Sequence, residues 1–283
     1  TCYVEIPRKN GKSNLSAAIA LYMLFADGEP GAEVISAAGD RGQANIVFNI
    51  AQEMINNSRH LRSRSRVLRN VVQYKSSWYK SISAEAYTKH GLNCHAVIFD
   101  ELHTQPNRDL WDVLTTSTGA RRQPLVMALT TAGHDRASIC YEVHEYAKGV
   151  RDGVIDDDTF LPVLYAADID DDWTDEATWR KANPGFGSIC HKDYFEQAVK
   201  NAKANPSMVN SFLRLHLNIW TSAETSWIPD DIWMLGNKPI PHDRLHTLPC
   251  YGGLDLASTQ DLTAFSLLFA DVEHDCFYLL VHQ

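Results

Sequence analysis

The chain has 283 residues, a net charge of −9, 45% hydrophobic and 22% charged residues, the proportions of a globular protein with room for more than one domain. No apolar stretch reaches the ~20 residues a bilayer crossing requires and no signal-peptide pattern opens the sequence, so no membrane partner is expected. Six cysteines (Cys2, Cys94, Cys140, Cys190, Cys250 and Cys276) stand singly without a CxxC pair, which argues against a zinc site or disulfide framework and for reduced thiols in a cytosolic protein.

Residues 3–6 open the chain as a strand-like run and residues 277–281 close it as another. With both ends inside strands, the chain is expected to be an internal piece of a longer protein. The first half alternates short apolar runs with helical spacing, the pattern of a parallel sheet flanked by helices. Strands are predicted at 3–6, 33–37, 71–74, 95–99 and 125–130, and helices at 13–25, 43–55 and 110–114. Arg59, Arg62, Arg64, Arg66 and Arg69 crowd into residues 59–69, either as a DNA-facing patch or as a solvated turn. Residues 1–135 hold 15 Lys/Arg against 12 Asp/Glu and residues 136–283 hold 11 against 23, so the acidic total leaves the basic half free to meet a polyanion. A composition shift at 149–158 marks a boundary. The following acidic, tryptophan-rich stretch carries predicted helices at 193–203 and 208–220. A strand then begins at Tyr251, with 263–269 as its hairpin partner.

Residues 6–13, Ile-Pro-Arg-Lys-Asn-Gly-Lys-Ser, join the first strand to the first helix, the context a phosphate loop requires. Backbone N–H groups and the positive end of the helix favour phosphate there. Gly11 permits close approach, Lys12 would neutralise the β- and γ-phosphates of ATP, and the Ser13 hydroxyl would bind Mg²⁺. Ile6 stands where the GxxxxGK[ST] pattern has its first glycine. Residues 96–101, Ala-Val-Ile-Phe-Asp-Glu, read as an apolar strand ending in two carboxylates, Asp100 for Mg²⁺ and Glu101 to polarise the attacking water; the bland alternative is a buried strand with a solvated acidic turn. Thr130 and Thr131 end a further strand, where hydroxyls can sense a γ-phosphate. Arg8, acting within the chain, and Arg121, acting on a neighbouring subunit, are candidates for the arginine that stabilises transition-state charge. His90, His95 and His103 lack the i, i+4 spacing of a helical zinc pair and read as polar or surface residues.

Together these residues resemble the large terminase subunit of tailed bacteriophages. That family's phosphate loop is a variant without the first glycine and with basic residues, as in Arg8-Lys9-Asn10-Gly11-Lys12-Ser13. Its Asp-Glu strand and Thr-Thr-Ala coupling motif match Asp100-Glu101 and Thr130-Thr131-Ala132, and further similarity runs through residues 38–44 and from Trp179 to Trp220. The resemblance implies an α/β fold: a parallel-sheet P-loop ATPase domain of the ASCE type at 1–150, a mostly helical linker region at 151–245, and the first strands of an RNase H-like nuclease domain at 246–283. It implies an ATP-driven motor that packages double-stranded DNA, working with a portal and a small terminase subunit as a homo-oligomeric ring in the cytoplasm of the bacterial host. In the attached endonuclease Asp255, within Tyr251-Gly-Gly-Leu-Asp, would bind Mg²⁺ or Mn²⁺, and Asp261 is a helper or a turn residue. The remaining nuclease carboxylates are expected beyond Gln283, so this stretch is not expected to cut DNA alone. An adenine-contacting segment is expected ahead of the phosphate loop. Two alternatives stay open. A helicase-like motor would have no use for the Asp255 strand, and an inactive prophage remnant would bind nucleotide no better than a Lys12→Ala variant.

Overall fold

The computed structural model describes residues 1–84, 91–221, 234–256 and 263–282. Contacts divide the chain into two compact units, Thr1–Trp227 and Ile228–Gln283. The strands of the first are β1 (Cys2–Glu5), β2 (Glu33–Ala38), β3 (Arg66–Leu68), β4 (Val71–Tyr74), β5 (Ser77–Ser83), β6 (Ala96–Asp100), β7 (Leu125–Thr130) and β8 (Leu161–Leu164). They form one eight-stranded sheet in the order β3-β4-β5-β2-β6-β7-β1-β8. From β5 to β8 in that order all pairs are parallel, while β3, β4 and β5 form an antiparallel meander.

The side-chain period of two explains how one sheet supports two cores. Ala96 and Ile98 of β6, with Met127 and Leu129 of β7, pack against α1 (Lys12–Phe25) and α2 (Arg41–Asn57). Val97 and Phe99, with Val126 and Ala128, face the other way onto Leu110 and Leu114 of α4 (Asp109–Thr116) and Cys140 and Val143 of α5 (Ile139–Arg151). Every residue of β6 is buried, as a central strand covered on both faces must be.

Three details differ from the sequence expectation. β4 stands among the predicted strands of a parallel sheet but runs antiparallel to β5, and β5 itself was not predicted. Its sequence, Ser-Trp-Tyr-Lys-Ser-Ile-Ser, is too polar to stand out, and it is held by pairing with β2 along its length. β8 lies beyond the compositional boundary at 149–158 yet extends the same sheet past β1. After it, α6 (Glu176–Ala182), α7 (Lys192–Ala204) and α8 (Val209–Leu217) close a third core, in which Trp179 stacks on Phe195 at 5.5 Å.

The second unit holds an antiparallel sheet of β9 (Cys250–Asp255), β10 (Ala264–Asp271) and β11 (Cys276–His282), in the order β11-β10-β9. Phe265 pairs with Leu254, the expected hairpin. His90, Trp227, Trp233 and Asp261 lie outside the described residues. Among the described residues no helix is long and apolar enough to cross a membrane.

Candidate active site

Sheet order brings three predicted motifs to one edge. β6, β7 and β1 are adjacent and parallel, with Asp100 level with Leu129 and Glu5 level with Thr130. The segments that leave them, the loop after β1, the Asp100-Glu101 turn and Thr130-Thr131, therefore emerge together at the carboxyl ends of the strands, where open α/β sheets bind ligands.

The loop before α1 turns through left-handed backbone at Lys9 (φ 67°) and Gly11 (φ 79°). A Cβ on Gly11 would meet only Ile189 Cδ1 at 3.8 Å, so the backbone angle selects glycine there and not crowding. Ile6 buries its side chain in the α1-side core and leaves only its carbonyl to the loop, so the missing first glycine is no steric obstacle. That carbonyl accepts from Lys12 Nζ at 2.9 Å, as does Pro7 O at 3.3 Å. The loop is braced from far along the chain. Arg8 N–H donates to Leu215 O at 2.9 Å, and Asn10 Nδ2 donates to Asn183 Oδ1 at 2.8 Å. Gly185 N–H donates to Asn10 Oδ1 at 2.9 Å, and Cys190 Sγ–H to Lys9 O at 3.0 Å. Spacing gives no sign of these braces; the only hint was the stretch running from Trp179.

Asp100 is 3% exposed, and its Oδ1 has no hydrogen-bond partner among the described residues. Burial pushes its pKa up to about 7, with the Glu101 charge adding to the rise and Lys12 opposing it. A buried, orphaned carboxylate oxygen near the Lys12 ammonium suits a divalent cation, with the half-buried Ser13 hydroxyl in the first turn of α1 as second ligand. Burial also lowers the Lys12 pKa and outweighs the attraction of Glu101 and Asp100. Glu101 takes a left-handed backbone (φ 51°, ψ 56°) into a short 3₁₀ turn, Leu102–Thr104. One of its oxygens lies 3.9 Å from Lys12 Nζ, and the other lies 3.5 Å from the Thr131 hydroxyl. Thr130 and Thr131 are both fully buried.

Arg8 is exposed, and its charge bears on Lys12 and His103. The structure does not bring Arg121 to this edge. Its guanidinium donates to Gly31 O and Asn93 O, both just before strands β2 and β6, and pairs with Glu29 at 3.0 Å. That is the opposite end of the sheet, and the side chain is consumed by its own chain. Arg59 and Arg62 bound the short helix α3 (Arg59–Arg62), and Arg64, Arg66 and Arg69 follow in and around β3; all five are exposed. Asp255 ends β9 as an exposed residue. Among the described residues no group of three or more His, Cys, Asp or Glu side chains is placed to hold a metal ion.

One buried acid escaped the sequence reading. Glu5, 1% exposed, accepts at Oε2 from Tyr3 OH (2.7 Å) and Trp220 Nε1 (3.3 Å), with His144 Nδ1 at 2.9 Å. The Trp220 ring lies so close to Gly133 that a Cβ there would come within 2.8 Å of it. The segment that leaves β7 is thereby packed against the chain that leaves α8.

The family model described as terminase large subunit, ATPase domain, matches residues 1–149, and that described as terminase large subunit, endonuclease domain, matches residues 154–283. The terminase large subunit of Enterobacteria phage HK97 is 32% identical over 271 residues, 92% of this chain and 52% of that protein. Protein YmfN of Escherichia coli (strain K12) is 31% identical over 180 residues, 63% of this chain and 40% of that protein. The crystal structure of the HK97 bacteriophage large terminase superposes with a TM-score of 0.71 at 27% identity, covering 99% of this chain and 58% of that one. The chain thus spans about half the length of the curated relatives it matches.

Proposed function

Because the chain belongs to the terminase large-subunit family, we propose that it is the motor of an ATP-driven DNA-packaging protein together with the opening of an attached endonuclease. The observation that carries this reading is the convergence of Lys12, Asp100, Glu101 and Thr131 at the carboxyl edge of β1, β7 and β6. Lys12 and the loop from Arg8 to Ser13 bind the phosphates of ATP. Ser13 and Asp100 hold Mg²⁺, which when bound supplies positive charge against the phosphate oxygens. Glu101 accepts a proton from the attacking water, Arg8 offsets charge on the transferring phosphoryl group, and Thr130 and Thr131 report the state of the site. Residues 1–150 carry the motor's loops and most of its sheet, 151–245 the linker region, whose β8 extends that sheet, and 246–283 the first nuclease strands, with Asp255 as one ligand for Mg²⁺ or Mn²⁺. Double-stranded DNA is the substrate, and a portal and small terminase subunit are partners of a ring in the host cytoplasm. Family membership favours this over a helicase-like motor or an inactive module.

Binding of a fluorescent ATP analogue with Mg²⁺ tests the nucleotide site. Lys12→Ala removes a charge-assisted contact worth about 1.5–3 kcal/mol, so affinity is expected to fall roughly 10- to 100-fold. Equal affinities for wild type and variant would overturn the assignment.

The DNA reading makes its own prediction for the exposed arginines. Replacing Arg62 and Arg64 by alanine is expected to weaken duplex binding for all sequences alike. The dependence of log affinity on log salt should become shallower by about 1 for each arginine that meets a phosphate. An unchanged slope, measured by salt titration of anisotropy, would return the cluster to a solvated surface.

A further inference from the structure

His103 lies two residues beyond Glu101, and the left-handed turn at Glu101 folds it back over the end of β7. Its side chain is 12% exposed. The His103 backbone N–H donates to Thr130 Oγ1 at 3.2 Å, and its ring Nδ1 lies 3.0 Å from the same hydroxyl. Nδ1 is also 3.3 Å from Glu101 Oε2 and 3.4 Å from Thr131 Oγ1. One ring nitrogen thus faces the carboxylate assigned to the water and both threonines of the adjacent strand.

The Thr130 hydroxyl also has Thr131 O at 3.0 Å and Cys140 Sγ at 3.6 Å as partners. With its hydrogen given to the nearer carbonyl, the Thr130 oxygen accepts toward His103, and Nδ1 carries the ring hydrogen. Burial lowers the His103 pKa to about 4 despite the opposing Glu101 charge, and Lys12, Arg214 and Arg8 lower it further. The ring is therefore neutral at physiological pH, and its contact with Glu101 is a hydrogen bond and not an ion pair. Among the described residues, the contacts to Glu101 Oε2 on this side are long: the 3.3 Å approach of Nδ1 and the 3.5 Å donation from Thr131. A small rotation of the ring shortens the first at the expense of the bond to Thr130.

We propose that His103 is a positioning residue for ATP hydrolysis, its Nδ1–H shared between Glu101 and Thr130 so that the carboxylate's orientation and the end of β7 move together. This rests on the reading of Glu101 given under Proposed function. A histidine in a polar turn with no such role would tolerate any side chain that fills the space.

The test compares His103→Ala, His103→Asn and His103→Gln in the intact protein, measuring steady-state ATP turnover, affinity for a fluorescent ATP analogue, and melting temperature as a folding control. An asparagine amide can place an N–H near the Nδ1 position, whereas a glutamine amide reaches the Nε2 position. Ala and Gln are expected to lower kcat by roughly 10- to 100-fold, the scale of a misplaced catalytic group, with affinity within about twofold of wild type. Asn should recover most of the loss. Wild-type kcat in the Ala variant, equal behaviour of Asn and Gln, or a loss confined to affinity would each overturn the proposal. ¹⁵N NMR of the histidine rings tests the hydrogen-bond assignment without any turnover. An Nδ1-protonated His103 that changes in Thr130→Val supports it, and an Nε2-protonated ring overturns it. Wild-type protein that neither binds nor hydrolyses ATP sinks the reading of the site, whichever tautomer is found.

Discussion

Glu101→Gln is expected to lower ATP turnover by about 10²–10⁴, the usual scale for loss of a general base, while leaving nucleotide bound. The substitution preserves shape, and the glutamine oxygen can still accept from Thr131, 3.5 Å away in the native site. It cannot take a proton from water. It also removes a negative charge that raises the Asp100 pKa and attracts Lys12. With that charge gone, Asp100 ionises more readily and becomes a better cation ligand. The variant should therefore hold Mg²⁺ and ATP at least as tightly as wild type while turning over slowly. Phosphate release and equilibrium binding of an ATP analogue, measured side by side, separate the two effects. Turnover at the wild-type rate would exclude Glu101 as the base.

Asp100→Asn is expected to stabilise the fold, and to do so more at pH 8 than at pH 5. The carboxyl pKa rises from 3.8 to about 7 in the folded chain because the group is buried. Between those values the folded state holds a proton that the unfolded chain has released, so the wild type loses stability as pH climbs, until the full penalty is present above about pH 7. Asparagine keeps the shape and never ionises. The gain over wild type should grow by on the order of 2 kcal/mol between pH 5 and pH 8, several degrees in melting temperature. The same variant should lose Mg²⁺-dependent turnover, since it discards the cation's buried partner. Wild-type stability that does not fall with pH relative to the variant would mean that the carboxylate is already satisfied in the fold. Stability given up at a functional group in this way is common in proteins.

Much of this site could be read before folding because its signals are local. The strand that ends in Asp100-Glu101 is a run of five residues buried on both faces, and a doubly covered strand reads as an unbroken apolar run. The loop up to Ser13 declares itself through Gly11, whose φ of 79° other residues seldom adopt. β5 was not legible, because its polar Lys80 and Ser81 are held by ladder bonds to β2 and not by an apolar pattern. Arg121 precedes the Thr130-Thr131 strand in sequence but lies at the other end of the sheet from Lys12, a separation that sequence neighbourhood does not encode.

What the sequence determined by itself, then, is the central strands, the helices between them and the residue types at their ends, since backbone periodicity and turn geometry act over a few residues. Which ends meet was decided by the tertiary structure. Placing β7 between β6 and β1 aligns Asp100, Thr131 and the loop before Lys12. The Asn10–Asn183 contact spans 173 positions, and the bond from Trp220 to Glu5 spans 215. His103 reaches Thr130 only because Glu101 turns the chain left-handed over the neighbouring strand. Hydrogen bonds across such separations depend on where strands lie in the sheet, and no spacing rule along the chain encodes that.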